Sequence, residues 1–296
     1  MTQPDRDHHH GLEEKSFDTG EVTLNYAEGE DNGPPLILLH GLGRRWQVFL
    51  PLIPSLSLRW HVYALDLRGH GKSGRIPRGY RGVQYSEDVI RFLRQQLKEP
   101  AILFGHSLGG MAAMWVAAHE PDLVKAAILG DNLISGVDFQ QSFYPMLFGG
   151  LRDLAARGGT LEEIAHGLAE IKLKLPGLDE LVRIGDLPGN DQAYLLSWAR
   201  CVKQADPDTY AQSLDGTSLE GWNGEALLRQ IKCPTLLLQA SPQLGGLMSD
   251  ADVKLALALL AHPVHVSFPT LGHALYIQQP EPVLRAVNNF LESLGQ

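Results

Sequence analysis

The sequence predicts an α/β fold: a doubly wound, mostly parallel sheet with helices on both faces and one helical insertion. Three observations predict it. Short, continuous apolar runs recur along the chain, segments with helical apolar spacing separate them, and one long aromatic-rich stretch has no such runs.

Val22 to Ala27 alternates and reads as a strand with one covered face. The runs Pro35–Leu39, His61–Leu65, Ala101–Phe104, Ala126–Leu129, Thr235–Leu238 and Val264–Phe268 are four or five residues each. That length and character suit parallel strands covered on both faces. Helical spacing appears between them, over Tyr85–Leu97 (Val89, Phe92, Leu93, Leu97), Leu108–Ala118 and Pro282–Leu294. Alternation of this kind predicts right-handed crossovers. From about Leu133 to Glu225 no buried strand is expected. Helical patterns over Leu161–Leu173 and Gln192–Lys203 lie there between Gly and Pro breaks, with Phe139, Phe143, Tyr144, Phe148, Tyr194, Trp198, Tyr210 and Trp222. The expected organisation is a flexible tail at 1–15, a core of 16–132 and 226–296, and a helical insertion at 133–225. Some of its aromatics are expected to line a pocket.

Composition bounds the function. The chain has 296 residues, 44% hydrophobic and 20% charged, enough for a sizeable core and too apolar for a disordered chain. Its 25 Lys+Arg against 34 Asp+Glu leave a net charge of −9, which argues against nucleic acid or anionic lipid as partner. No apolar run approaches the roughly 20 residues that span a bilayer. Two cysteines, Cys201 and Cys233, cannot form a disulfide framework and read as buried thiols of a cytoplasmic protein. His8, His9 and His10 are read as part of a frayed tail, not as a metal site. No cofactor and no metal is expected; monomer and homodimer both stay open.

The chemistry concentrates in short motifs. Gly105-His106-Ser107-Leu108-Gly109 fits G-x-S-x-G directly after a predicted strand and directly before a predicted helix. The tight turn needs small neighbours, and it pushes the Ser107 hydroxyl out at the C-terminal edge of the sheet. A serine needs a base. His273, between the last strand and the last helix, opens on the same edge. His106 is too near Ser107 in the chain to be its base and is expected to line the pocket or pack. In His40-Gly41-Leu42-Gly43, the Leu42 N–H can join the Leu108 N–H as an oxyanion hole, with His40 as a brace. Asp66-Leu67-Arg68-Gly69-His70-Gly71-Lys72-Ser73 lacks the spacing of a phosphate-binding loop and reads as a hydrogen-bonded turn.

With these motifs in that order, the sequence resembles the α/β-hydrolase family from about Val22 to Leu294. The resemblance implies about eight strands, a Ser–His–acid triad and an insertion that caps the pocket. It departs from the family in one place. Members often carry the acid after the strand that here is Thr235–Leu238, and Ala240-Ser241-Pro242-Gln243-Leu244-Gly245-Gly246 holds no carboxylate. Asp250 and Asp252 read as the start of a helix. Some members carry the acid one strand earlier, where Asp131 follows Ala126–Leu129, and Asp131 is taken as the acid. Two other readings stay open: Asp131 as a loop cap, and Ser241 standing where an aspartate once stood.

The expectation is a cofactor-independent hydrolase of a fairly hydrophobic carboxylic ester or lactone, with Ser107, His273 and Asp131 catalytic. Phe143, Tyr144, Met146, Trp198 and His106 are the expected substrate contacts. Ser107 argues against dehalogenase and epoxide-hydrolase relatives, which need a carboxylate there. An amidase, a carbon–carbon bond hydrolase, a perhydrolase and a ligand-binding receptor with little turnover remain as rivals.

Overall fold

The computed structural model describes residues 11–135 and 142–295. His8, His9, His10 and Phe139 lie outside the described residues. Among the described residues ten strands follow in chain order: β1 (Glu13–Asp18), β2 (Thr23–Glu28), β3 (Pro35–Leu39), β4 (His61–Leu65), β5 (Ala101–His106), β6 (Val124–Gly130), β7 (Lys172–Leu173), β8 (Val182–Arg183), β9 (Thr235–Ala240) and β10 (Pro263–Phe268). Eight of them form one sheet in the order β1-β2-β4-β3-β5-β6-β9-β10. The pairs β1/β2 and β2/β4 are antiparallel; every other pair is parallel.

The continuous apolar runs are the fully buried strands: no residue of β3, β5 or β9 is exposed. β10 pairs only with β9, and as an edge strand it leaves Val264 43% exposed. The helix Leu108–His119 is buried nearly all round, with Gly109 to Met114 all inside. A helix apolar on every side belongs in the interior. The flanking helices Gly82–Gln96 and Pro280–Ser293 bury one stripe each, through Tyr85, Val89, Phe92 and Leu93 and through Val283, Val287, Phe290 and Leu291.

Two expectations need correction. The expected flexible stretch 1–15 overlaps β1, which begins at Glu13 and pairs with β2, Glu13 opposite Glu28. Backbone pairing holds a strand whose side chains are mostly exposed, so no apolar pattern marks it. The helix from Leu161 ends at Glu170, after which Leu173 lies in the small β7–β8 hairpin with its side chain buried.

Between β6 and β9 the helices Tyr144–Arg157, Leu161–Glu170, Gln192–Gln204 and Pro207–Leu214 share a core of their own. Leu42 and Leu247, from loops at the C-terminal sheet edge, pack against that core. Polar bonds add to the attachment. The Tyr80 hydroxyl donates to Asp206 at 2.7 Å, and the Asp206 N–H donates to the Gly69 carbonyl at 2.8 Å.

The loop after β4 is anchored by a buried ion pair. Arg68 is fully buried and donates through Nε and Nη2 to both carboxylate oxygens of Asp88, at 2.6 and 2.7 Å. Its remaining donors reach Glu21 and the Gly79 carbonyl. Removing one member leaves the other charged and unpaired in the interior. Arg68→Met is therefore expected to lose about 3–5 kcal/mol of stability in urea unfolding. A loss under about 1 kcal/mol would show that Asp88 finds another partner.

Candidate active site

The parallel strands end together, and their following loops meet at one edge of the sheet. Paired positions are Leu39 with Gly105, His106 with Gly130, Gly130 with Leu238 and Ala240 with Phe268. Ser107 lies between β5 and its helix at φ 53°, ψ −117°. That backbone costs energy for a residue with a side chain and persists only where packing enforces it. The two motif glycines are forced by close approach. A Cβ on Gly105 would sit 2.1 Å from the Gly109 carbonyl oxygen, and one on Gly109 would sit 2.1 Å from that of Leu39.

Asp131 follows β6, also at a positive φ of 43°, and is completely buried. Its Oδ1 accepts the N–H groups of Ala240 (3.1 Å) and Met248 (3.2 Å). Its Oδ2 accepts the Leu247 N–H at 2.9 Å and lies 2.7 Å from His273 Nδ1. An ionised carboxylate only accepts, so Nδ1 carries the proton and Nε2 of the neutral ring is left as an acceptor. Ser241, the other position considered for the acid, donates its hydroxyl to Gln243 at 3.0 Å. Asp252 accepts from Ser249 in a capping box, as expected of a helix start.

Ser107 and His273 line one cavity of about 60 Å³, together with Leu42, His106, Tyr144 and Trp198. No hydrogen bond joins the two side chains among the described residues; such contacts are often long before substrate binds. Leu42 and Leu108 line a second cavity of about 50 Å³ that also reaches Ser107, with Tyr85 and Met111. Among the described residues neither the Leu42 nor the Leu108 N–H has an acceptor. The Gly109 N–H, by contrast, donates to the His40 carbonyl at 3.1 Å.

Three buried histidines hold this arrangement. His40 Nδ1–H donates to the Gly41 carbonyl (2.8 Å) while Nε2 accepts the Leu67 N–H (3.0 Å). His70 repeats the pattern, donating to the Arg68 carbonyl at 2.8 Å and accepting the Gly43 N–H at 3.0 Å. The loop carrying Leu42 is thus gripped by two neutral rings. His106 Nε2–H donates to the His273 carbonyl at 2.8 Å and steadies that loop. Burial holds His40 and His106 well below the usual histidine range and lowers His70 to about 4.

The expected pocket residues divide. Tyr144 and Trp198 line the Ser107 cavity, and the Tyr144 hydroxyl donates to the Gly245 carbonyl at 2.7 Å. Phe143 stacks on Tyr144 and lines the neighbouring cavity instead. Met146 is corrected: it is 41% exposed and lines neither cavity at Ser107. Two residues beyond Tyr144 on a helix, it points about 200° away from the inward face that Tyr144, Leu147, Phe148 and Leu151 share. Sequence reasoning missed Arg44 and Met111, which line these cavities. The only signal for Arg44 was a pair of arginines directly after the loop glycine. Among the described residues no group of three or more His, Cys, Asp or Glu side chains is placed to hold a metal ion, and no helix is long and apolar enough to cross a membrane.

A family model for the alpha/beta hydrolase fold matches residues 34–278. The chain belongs to the α/β-hydrolase fold family. Among curated proteins it is 39% identical over 117 residues to a 2-(acetamidomethylene)succinate hydrolase of Mesorhizobium japonicum; that match covers 40% of this chain and 42% of the relative. It is 25% identical to the (E)-2-((N-methylformamido)methylene)succinate hydrolase of Acinetobacter baylyi, over 92% of this chain and 95% of that one. Among solved α/β hydrolases, the enol-lactonase of Burkholderia xenovorans superposes with a TM-score of 0.73 at 20% identity, covering 94% of this chain and 100% of that one. This last likeness concerns the fold.

The histidines give stability a pH dependence. A histidine whose pKa is lower in the folded than in the unfolded state stabilises the fold above the unfolded value of 6.5. That contribution is lost as pH falls from there toward the folded value, about 4 for His70. Unfolding free energy is expected to drop by roughly 1.4 kcal/mol per pH unit per histidine below this onset. Equal urea midpoints at pH 7.5 and about 5 would contradict the neutral-brace reading.

Proposed function

We propose that the protein is a cofactor-independent serine hydrolase that cleaves a carboxylic ester or lactone through an acyl-enzyme on Ser107. The observation that carries this reading is the His273 Nδ1–Asp131 contact of 2.7 Å beside a serine held in a strained strand-to-helix turn. In the proposed mechanism His273 Nε2 takes the Ser107 proton as the hydroxyl attacks the substrate carbonyl. Asp131 holds the ring in the tautomer that can accept, and stabilises the imidazolium that forms. The Leu42 and Leu108 N–H groups, on residues that line the cavity at Ser107 and without acceptors among the described residues, stabilise the oxyanion. His273 then protonates the leaving oxygen, and a water activated by the same ring hydrolyses the acyl-enzyme.

The insertion acts as the cap in this reading. It supplies Tyr144, Phe148 and Trp198 to the cavity walls and sets substrate choice. Ester cleavage accords with the pimeloyl-[acyl-carrier protein] methyl ester esterases, one of which is 26% identical over 91% of this chain. A second reading, cleavage at an amide-type bond, is favoured by the two succinate hydrolases, whose names carry acetamido and formamido groups.

A panel of p-nitrophenyl esters, aromatic lactones and anilides tests both. Multiple turnovers on esters or lactones are expected, with Ser107→Ala slower by several orders of magnitude. A fluorophosphonate is expected to add once, on Ser107, and to abolish turnover. Label on another residue, activity retained by Ser107→Ala, or a single slow turnover would reject the reading.

A further inference from the structure

We propose that Arg44 forms an anion subsite beside Ser107, so that the substrate carries a carboxylate a few bonds from the scissile carbonyl. This rests on the hydrolase reading above and narrows its substrate class. Arg44 lines the cavity of about 60 Å³ that also holds Ser107 and His273. Its guanidinium lies over the Trp198 ring, 4.3 Å from the centroid, and Nη2 donates to the Tyr194 hydroxyl at 3.1 Å. That is the one side-chain hydrogen bond it makes among the described residues, of five donors available. No carboxylate pairs with it there, whereas the fully buried Arg68 is paired with the carboxylates of Asp88 and Glu21 and gives Nη1 to the Gly79 carbonyl.

An arginine stays charged, and a charge in an apolar wall is costly unless something compensates it. Leu42, Leu147, Phe148, Leu151 and Ile277 supply much of that wall. Trp198 covers the face of the guanidinium and Tyr194 takes one donor. The geometry thus holds the group rigid while leaving the edge donors, the ones that match a carboxylate in a fork. The second cavity, which shares Leu42, Ser107 and Phe148 with the first, is lined mostly by apolar groups such as Tyr85, Met111, Leu133 and Leu219, with Ser213 and Ser218 among them, and suits a largely apolar arm. A substrate with one anionic and one apolar arm, joined at the reacting carbonyl, fits both.

The carboxylate can sit on the acyl arm or on the leaving-group arm. Monomethyl glutarate represents the first and meta-acetoxybenzoate the second. Each is compared with the ester in which isopropyl replaces the carboxylate. Binding is measured by calorimetry on Ser107→Ala, independently of turnover. In at least one arm the charged ester is expected to bind about tenfold tighter or more than its neutral twin. Arg44→Gln on that background should erase the preference, Arg44→Lys should restore part of it, and Arg45→Gln, with the same change in net charge, should keep it. Equal binding of charged and neutral esters in both arms, or a preference that survives Arg44→Gln, overturns the proposal. Wild-type turnover of the charged and neutral esters together is read separately. If it is absent, the hydrolase reading fails, whatever the binding ratio.

Discussion

The buried carboxylate of Asp131 is the contact on which the site depends. It stands at the end of β6 and accepts from Ala240 at the end of β9, from Leu247 and Met248 on the loop after β9, and from His273 on the loop after β10. One side chain therefore joins three crossovers. The loop after β9 carries no carboxylate of its own and is shaped around one that arrives from the neighbouring strand. Each N–H that lost this acceptor would stay buried and unpaired at a cost of about 1–3 kcal/mol. The same carboxylate orients the histidine, so stability and chemistry are coupled at this one group.

The other wall of the site is held by different means. His40 and His70 use both ring nitrogens on backbone groups and fix the turn from Gly41 to Gly43. They can do so only while neutral, and burial keeps them neutral. The loop that carries His70 is anchored in turn by Arg68 on Asp88. Asp66 closes the same region by accepting the N–H groups of Trp46 and Lys72. The charged motif after β4 thus serves structure, as its spacing implied, and reaches the site through His70.

Much of this was legible because the signals are local. Most of the short apolar runs are covered strands, with β10 at the sheet edge the exception, and a glycine-flanked serine between strand and helix fits a tight turn. The family resemblance, in which some members carry the acid one strand earlier, points to Asp131, and the structure sets that carboxylate 2.7 Å from His273 Nδ1. Contacts that arise only in three dimensions were not legible. β1 is made by backbone pairing of mostly charged residues, which leaves no apolar period to read. Met146 shared a sequence cluster with Tyr144, and only the helical phase separates the buried residue from the exposed one. Arg44 stands out because it lies in a wall without a carboxylate, and neighbours in sequence say nothing about that.

The central claim is that Asp131 is the acid that makes His273 a competent base. Its most direct test is kcat of Asp131→Asn, measured on protein whose circular dichroism matches the wild type, beside the double variant with Ser241→Asp. The account predicts a loss of roughly 10⁴-fold in the single variant, as expected when the ring is left in the wrong tautomer, with no full recovery in the double. Near wild-type kcat in folded Asp131→Asn would contradict it. Full recovery with Ser241→Asp would place the acid on the loop after β9 instead.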